Sequence, residues 1–412
     1  MPTAGGPNTL GESNLVFAYD TGDVVNSYKG EPTTNVFTHY GTTGQGSGAD
    51  NGVTFSINGT GTFVRLGYGQ TFGGYTIKPE DVVYRYDLGA YGCHYHGNSP
   101  AIPSGKYLTF SFDYYVSPGT TIDNTTLAAL ENYNGSALSA VITAPNTLTG
   151  VWQTVSVTVG PTGGSGTQGM FLYPGYCGPR FGDTGYILYK NPQVEYLPHK
   201  TPFVQTTRSA TQGLLPLIGN STIDLTNVSF DSNAQMVFDG TNDYIAAGNP
   251  TDYRMGVSNF TLECVMKQSK TSGHCLLESR GDSLAGYLWV HNYYSTGQSC
   301  LFLNYGGNQY LYFQDGGFVA TTTTQYYHMA IVVNRAGNTI SFYVNGNKAG
   351  NDVAIHSNSI SPTGGDIYRV GFDLGGSPWQ GEIPIFKHYN RTLSAQELKQ
   401  NYQQYKTRFN LS

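Results

Sequence analysis

Residues 340–346, Ile-Ser-Phe-Tyr-Val-Asn-Gly, carry the local pattern that decides the fold class. Apolar side chains at every second position from Ile340 to Val344 alternate with the residues between them, as in a β-strand with one face in a hydrophobic core. The dipeptide Asn345-Gly346 then supplies two residues that tolerate positive φ, which a two-residue type I′ hairpin requires. The stretch therefore predicts a strand of an antiparallel sheet that ends in a tight hairpin.

The same period of two recurs along the whole chain. In residues 106–116 (KYLTFSFDYYV), one parity holds five apolar residues: Leu108, Phe110, Phe112, Tyr114 and Val116. In residues 152–159 (WQTVSVTV), three valines share the inward parity: Val155, Val157 and Val159. Clusters of Gly, Ser, Thr, Asn and Pro separate these segments at spacings typical of β-sandwiches. We therefore predict an all-β protein of antiparallel sandwiches.

The composition excludes several classes of protein. The 412 residues include 54 glycines and 33 tyrosines, but only 12 % are charged, too few for a coiled coil or a charge-rich disordered chain. The net charge of −6 offers no basic field for nucleic acid, and no apolar run approaches the ~18 residues that cross a bilayer. The N-terminus has no signal-peptide pattern and five cysteines form no evident disulfide framework. We expect synthesis in a cytoplasm, no nucleic-acid partner and no membrane insertion.

The pattern divides the chain into four segments. Residues 1–13 are predicted to be an N-terminal arm, 14–198 a first jelly-roll sandwich, 199–212 a proline-containing linker and 213–409 a second sandwich. Near the end, Ser394-Ala395-Gln396-Glu397 is a capping box. It predicts one short helix that continues to about Lys406, with an apolar stripe of Leu398, Tyr402 and Tyr405.

Five motifs in the second half resemble, in order, the laminin-G-like, concanavalin A-like lectin/glucanase fold. They are residues 238–245 (FDGTNDYI), 260–263 (FTLE), 327–332 (YHMAIV), 340–346 (ISFYVNG) and 381–383 (GEI) leading to 389–394 (YNRTLS). The first half is similar to jelly-roll carbohydrate-binding modules at residues 103–107, 152–155, 186–189 and 193–195. These resemblances imply two tandem antiparallel sandwiches, the second concanavalin A-like.

The junction between the two predicted sandwiches and the C-terminal segment resemble structural proteins of tailed bacteriophages. The resemblance lies at residues 201–204 (TPFV), 207–209 (TRS), 401–402 and 408–409. This resemblance implies a non-enzymatic virion surface protein: a capsid decoration or head fibre, or a tail-fibre or baseplate appendage. Such a protein is made in the host cytoplasm and displayed outside the virion. Its expected partners are other virion proteins, further copies of itself (a trimer, for example) and host cell-surface polysaccharide.

Two other functions are open. A dedicated carbohydrate-binding lectin is one, and a polysaccharide-degrading enzyme is the other. A glucanase of this fold needs paired carboxylates on one strand face, as in a Glu-X-Asp-X-Glu run. No such run exists here, because Glu263 is followed by Cys-Val-Met and the residues between Glu278 and Asp282 indicate a turn. We expect no catalytic residues.

Aromatic side chains are the candidates for sugar stacking. Residues 287–294 (YLWVHNYY) supply Trp289, His291, Tyr293 and Tyr294, although Trp289 equally suits a core strand. Trp379 follows a Gly-Gly-Ser-Pro loop, so we expect it to be exposed to a glycan or a neighbouring subunit.

Two groups of residues could bind metal. Asp239, Asn242 and Asp243 offer oxygen ligands for calcium in one turn, although all three are also ordinary turn residues. Cys93, His94 and His96, with Cys177, could hold zinc, or the two cysteines could form a disulfide or remain buried thiols.

Overall fold

The computed structural model describes most of the chain. The residues it describes are 12–37, 53–57, 62–88, 94–98, 100–120, 125–132, 140–172, 184–219, 221–248, 250–271, 273–281, 284–293, 298–316, 322–373 and 375–412.

Within these ranges the structure is almost entirely strand. The first sixteen strands are β1 (Leu15–Asp20), β2 (Thr33–Thr34), β3 (Val53–Ile57), β4 (Thr62–Leu66), β5 (Thr71–Phe72), β6 (Tyr75–Thr76), β7 (Val83–Asp87), β8 (His94–Asn98), β9 (Ala101–Ile102), β10 (Leu108–Val116), β11 (Thr126–Asn132), β12 (Ala140–Thr143), β13 (Trp152–Val159), β14 (Gly166–Leu172), β15 (Tyr186–Glu195) and β16 (Thr207–Arg208). The remaining elements are β17 (Ile223–Asn227), β18 (Ser229–Phe230), β19 (Met236–Asp239), β20 (Tyr244–Ala247), a 3₁₀ turn (Pro250–Tyr253), β21 (Phe260–Gln268), β22 (His274–Arg280), β23 (Gly286–His291), β24 (Cys300–Asn304), β25 (Leu311–Phe313), β26 (Tyr327–Asn334), β27 (Thr339–Val344), β28 (Asn347–Lys348), β29 (Val353–Ala354), β30 (Ile367–Val370), β31 (Gln380–Tyr389) and the helix α1 (Ala395–Phe409).

The chain forms two compact units, and the sequence of one interrupts the sequence of the other. Thr33–Arg208 form what we call the inserted sandwich. The residues up to Pro32, together with Ser209–Ser412, form the host sandwich. The inserted sandwich begins and ends on one ribbon, because β2 pairs with β16 in antiparallel register.

The inserted sandwich packs two antiparallel sheets around one core. One sheet has the order β13-β10-β15-β7-β4, and the other β12-β11-β14-β8-β3 with β9 beside β14. The alternation predicted for residues 108–116 is confirmed, because the five apolar residues of that parity all lie in the core. The valines of β13 pack against the same core from its edge strand.

The host sandwich also has two antiparallel sheets. The larger follows β18-β19-β31-β21-β26-β27-β28, with β1 on β31 and β29 on β27. The smaller follows β17-β20-β30-β22-β23-β24-β25. The predicted turn at Asn345-Gly346 is confirmed by positive φ values of 49° and 70°. The all-β class and the antiparallel sandwich architecture predicted from the sequence are therefore confirmed.

The predicted terminal helix is present with its cap. Ser394 Oγ accepts a hydrogen bond from the Glu397 amide at 3.3 Å, and the Glu397 carboxylate accepts one from the Ser394 amide at 2.8 Å. Leu398, Tyr402 and Tyr405 are buried, as the stripe predicted. No helix in the described ranges is long and apolar enough to span a membrane.

The predicted domain boundaries differ from the structure at both ends of the first sandwich. The strand expected to open it, β1, instead pairs with β31 of the host sandwich, from Leu15 opposite Tyr389 to Asp20 opposite Ile385. Pairing of β19 with β31 stops at Gly381, so this edge of β31 is open to another strand.

The predicted linker, 199–212, is also divided between the units. The amide and hydroxyl of Thr201 donate to Glu195 at 3.0 and 2.6 Å, which holds this segment on the inserted sandwich as far as β16. From Ser209 onward the chain belongs to the host sandwich.

Candidate functional site

The tryptophans expected to bind glycan are buried. Trp289 and Trp379 both have 0 % exposure, as does His291. The Trp379 ring lies 4.9 Å from the His274 ring and 6.3 Å from the His291 ring, and its amide donates to the Gly371 carbonyl at 2.7 Å. The expectation that Trp379 is exposed is therefore wrong, because its glycine-rich loop turns the indole into the interior.

Of the other two members of that candidate site, the structure describes Tyr293. Tyr293 is half-buried, and its ring packs 6.1 Å from Phe302 and 5.2 Å from Phe313. Tyr294 lies outside the described residues. The described members of the predicted glycan site thus serve the packing of the host sandwich.

The candidate calcium ligands hold their own turn together. Asp243 Oδ2 accepts hydrogen bonds from the amides of Ser229 and Asp239 at 3.2 and 2.9 Å. Asp239 Oδ1 accepts one from the Thr241 amide at 2.7 Å, and Asn242 is exposed. The described part of the chain contains no group of three or more His, Cys, Asp or Glu side chains placed to hold a metal ion. One oxygen of each aspartate is thus engaged by backbone amides of this turn, and calcium binding here stays a prediction.

The second predicted metal group cannot be placed. Cys93 and Cys177 lie outside the described residues, and for His94 and His96 only the backbone of β8 is described. The three cysteines that are described, Cys264, Cys275 and Cys300, are buried free thiols in the host sandwich.

A half-exposed aromatic surface lies instead on the outward side of the inserted sandwich. We call it the Trp152 face, and it consists of six half-buried residues around the buried Tyr115 ring: Phe72, Tyr75, Arg85, Trp152, Tyr186 and Lys190. Tyr115 lies opposite both Trp152 on β13 and Leu188 on β15. Its side chain is on the outward face of the sheet, because the preceding residue, Tyr114, points into the core. The hairpin of β5 and β6 adds Phe72 and Tyr75.

Two cations are held between aromatic rings on this face. Lys190 Nζ lies 4.1 Å from the Tyr75 ring centre and 5.3 Å from that of Trp152. Arg85 lies 4.3 Å from the Tyr186 ring and 5.7 Å from the Phe72 ring. Contacts of this length are attractive, because the negative face of each ring meets a cation.

The Trp152 indole is fixed in place. Its Nε1 donates to the Gly73 carbonyl at 3.1 Å, and its ring lies 5.5 Å from Tyr115 and 5.9 Å from Tyr75. A side chain at Gly73 would collide with the Tyr115 ring, so glycine allows the hairpin to approach this closely. The indole is therefore preorganised, and a ligand stacking on it would pay little ordering entropy.

Polar groups surround the rings. Lys190 pairs with Asp113 at 3.0 Å, Arg85 pairs with Asp87 at 2.6 Å, and the Thr154 hydroxyl donates to Asp113 at 2.6 Å.

The pKa values of Asp81 and Tyr75, beside the Trp152 face, are shifted by burial and by hydrogen bonds. Burial acts to raise the pKa of Asp81, but hydrogen bonds from Tyr75, Asn191 and the Lys78 amide outweigh it, so the pKa lies below its usual value. Burial, and then the hydrogen bond to Asp81, raise the pKa of Tyr75. The phenol is thus neutral and the carboxylate ionised at neutral pH.

Trp152 and Tyr115 are recognisable from the sequence as strand residues, but no local motif assigns them to a site. A signal was present, since both fall on the parity opposite to the apolar residues of their strands. Their convergence with Tyr186 and Phe72 depends on strand register, which no local pattern contains.

Comparison with known proteins defines the class of the host domain. Residues 239–399 match the family model of the concanavalin A-like lectin/glucanases superfamily. This part of the host sandwich is therefore similar to concanavalin A-like lectin/glucanase domains. No curated protein sequence matches the chain.

Several solved structures are similar to part of the chain at low sequence identity. The chain is similar to the binding domain of botulinum neurotoxin serotype G (15 % identity, TM-score 0.37, covering 47 % of this chain and 48 % of that one). It is also similar to a SAP-like pentraxin of Limulus polyphemus (15 %, 0.32, 40 % and 78 %). A third is the CBM40 module of a Ruminococcus gnavus sialidase, solved with sialyllactose (19 %, 0.30, 35 % and 83 %). The chain spans about half the length of the toxin binding domain.

Proposed function

We propose that this protein is a non-enzymatic glycan-binding protein on the outer surface of a tailed-bacteriophage virion, where it helps the particle adsorb to host polysaccharide. The observation that carries the glycan-binding part is the Trp152 face. Sugars are bound by stacking on aromatic rings, with hydroxyls bonded to nearby charged or amide groups. The face offers fixed rings, two carboxylates and two cations within one half-exposed patch.

The virion part of the proposal is supported by sequence. The junction and C-terminal motifs resemble tailed-phage structural proteins, and the tyrosine-rich, charge-poor composition suits subunit interfaces. We propose a capsid decoration, head fibre, tail fibre or baseplate appendage, with virion proteins and further copies of the chain as partners. Weak sites repeated on a homo-oligomer would give useful avidity to polysaccharide.

A glycan array tests the binding surface. We expect the full chain to be retained on at least one glycan, and Trp152→Ala to weaken binding to it by about tenfold, or ~1.4 kcal/mol. Trp152→Phe should retain part of the affinity because it keeps a ring. Tyr107→Ala is the matched control, since Tyr107 is 38 % exposed and precedes β10 at the end opposite to Tyr115.

Three outcomes would contradict the proposal. Equal binding by wild type and Trp152→Ala, with circular dichroism showing both folded, would remove the Trp152 face from the function. Release of reducing sugar from the bound polymer would show that the protein is an enzyme. Immunogold labelling that marks the cell surface, and not phage particles, would favour a cellular lectin.

A further inference from the structure

The longest edge strand among the described residues is β13 of the inserted sandwich. It pairs with β10 on one side, from Leu108 opposite Val159 to Tyr115 opposite Trp152. On its other side, no strand in the described part of the chain pairs with it. An edge strand leaves its outer backbone N–H and C=O groups without strand partners, so the eight residues of β13 offer a template for the addition of a further strand.

This edge lies in a stretch of the sequence that has no charge. Residues 132–179 contain no Asp, Glu, Lys, Arg or His, although 12 % of the whole chain is charged. Three other edge strands each carry a charged residue: Arg65 on β4, Asp224 on β17 and Lys348 on β28. Such charges discourage pairing with another chain, because the added strand would desolvate them. The sequence of β13 contains no such protection.

Apolar side chains are exposed along the same edge. The three valines of β13 have the core parity but are only partly buried, whereas the β10 residues opposite them are at most 2 % exposed. Leu148 and Val151, which precede β13, are 57 % and 45 % exposed, and Val141 of the adjacent edge strand β12 is 50 % exposed. Burial of these side chains against a partner would be favourable.

We propose that β13 pairs antiparallel with β13 of a second copy of this chain, so that two inserted sandwiches share one continuous sheet. A two-fold axis perpendicular to the sheet brings the strand against itself and keeps the core side of one copy beside the core side of the other. The partly buried valines then lie beside the valines of the second copy. Self-pairing also explains the lack of charge, because any charged residue near the axis would meet its own like charge.

This inference deepens the proposal that further copies of the chain are partners, and its consequence for adsorption rests on the proposed glycan-binding function. Trp152 has the parity opposite to the valines, so the Trp152 faces of both copies lie on the same outward side of the shared sheet. Two sites that face the same way can bind one polysaccharide surface together, which raises avidity without any new contact to the sugar.

Sedimentation velocity of the full chain over a range of micromolar concentrations tests the pairing. We expect the wild type to form a dimer. Ser156→Lys and Ser156→Glu should each weaken it about tenfold or more, because Ser156 is exposed in the middle of β13 and the two-fold axis places like charges close together. An equimolar mixture of the two variants should dimerise again, since lysine then meets glutamate. Ser258→Lys is the matched control, because Ser258 is an exposed loop residue of the host sandwich and its substitution should leave the dimer unchanged.

Four results would overturn the pairing. The first is a wild type that stays monomeric at all these concentrations. The second is a Ser156→Lys variant that dimerises as tightly as the wild type, which would place the interface elsewhere. The third is a mixture that stays monomeric although circular dichroism shows both variants folded, which would exclude β13 of a second copy as the partner. The fourth is a trimer that depends on Ser156, which would exclude the two-fold axis.

The sedimentation readout contains no sugar, so failure of this inference is distinguishable from failure of the first proposal. Monomeric Ser156→Lys should bind a soluble oligosaccharide, chosen from the glycan array, as tightly as the wild type does. Its retention on a surface coated densely with that sugar should be weaker, because each molecule then has a single site. Equal retention of the two proteins would contradict the proposed gain in avidity.

Discussion

Acidification tests the core of the host sandwich through one buried histidine. His388 on β31 has 0 % exposure, and its ring lies within 6.0 Å of the rings of Tyr253, Phe260, Tyr287 and Tyr368. Its nearest polar contact is the Tyr368 hydroxyl, 3.3 Å from Nδ1. Burial lowers the pKa of His388 from 6.5 to about 3, because an imidazolium would be desolvated there.

The direction and size of the change in stability with pH follow from the lowered pKa of His388. Because the folded pKa is the lower one, the unfolded chain binds the proton first as the pH falls. The stability that His388 contributes is therefore complete above about pH 6.5 and is lost progressively toward pH 3. Between about pH 7.5 and pH 5 the loss is ~2 kcal/mol. His274, whose pKa is also lowered to about 3 by burial and then by Lys270, adds a second loss in the same direction.

Urea unfolding of wild type and His388→Phe at the two pH values provides the assay. The chain has three tryptophans, so a Trp152→Phe background leaves Trp289 and Trp379 to report on the host sandwich alone. On acidification, we expect the free energy of unfolding to fall in both proteins. The fall in His388→Phe should be ~2 kcal/mol smaller than the fall in its parent. Shifts from carboxylates and from His274 are common to both proteins and cancel. Equal pH dependence in the two proteins would refute this account of His388.

Two further predictions concern the helix and the N-terminal segment. Ser394→Ala should lower the unfolding free energy of the host sandwich by about 1 kcal/mol, because the Glu397 amide loses its acceptor, and Ser394→Thr should restore most of it; equal urea midpoints for all three would contradict the capping role. Glu12→Gln should cost about 2 kcal/mol, because Lys387, which is 1 % exposed, loses the carboxylate 2.8 Å from its Nζ. The double variant Glu12→Gln with Lys387→Met should recover much of that loss, and a double variant less stable than Glu12→Gln would contradict the pairing.

Local features were predictable because neighbouring residues encode them. The strand at residues 108–116, the Asn345-Gly346 turn and the capped helix all depend on side-chain parity, positive φ or a three-residue spacing, and each was confirmed. The match of residues 239–399 to one family agrees with the ordered motifs in that half.

Non-local features were not predictable, because they depend on contacts between residues that lie far apart in the sequence. The sequence of β1 alternates like any strand, and nothing in it indicates that its partner is β31 and not a neighbour in sequence. Trp379 follows glycines and a proline that are typical of exposed loops, yet the space between His274 and His291 decides its burial. The Trp152 face likewise requires the register of four strands.

The nested arrangement has a consequence for biosynthesis. The Tyr19 hydroxyl donates to the Ile383 carbonyl, 364 positions later in the chain. At translation rates of ~5–20 residues per second, the ribosome needs roughly 20–70 s to make that partner after β1 has emerged. During this interval the inserted sandwich can complete its own fold, since both of its ends have been synthesised. The host sandwich closes last, so the apolar first strand must be shielded from nascent neighbours until translation is nearly finished.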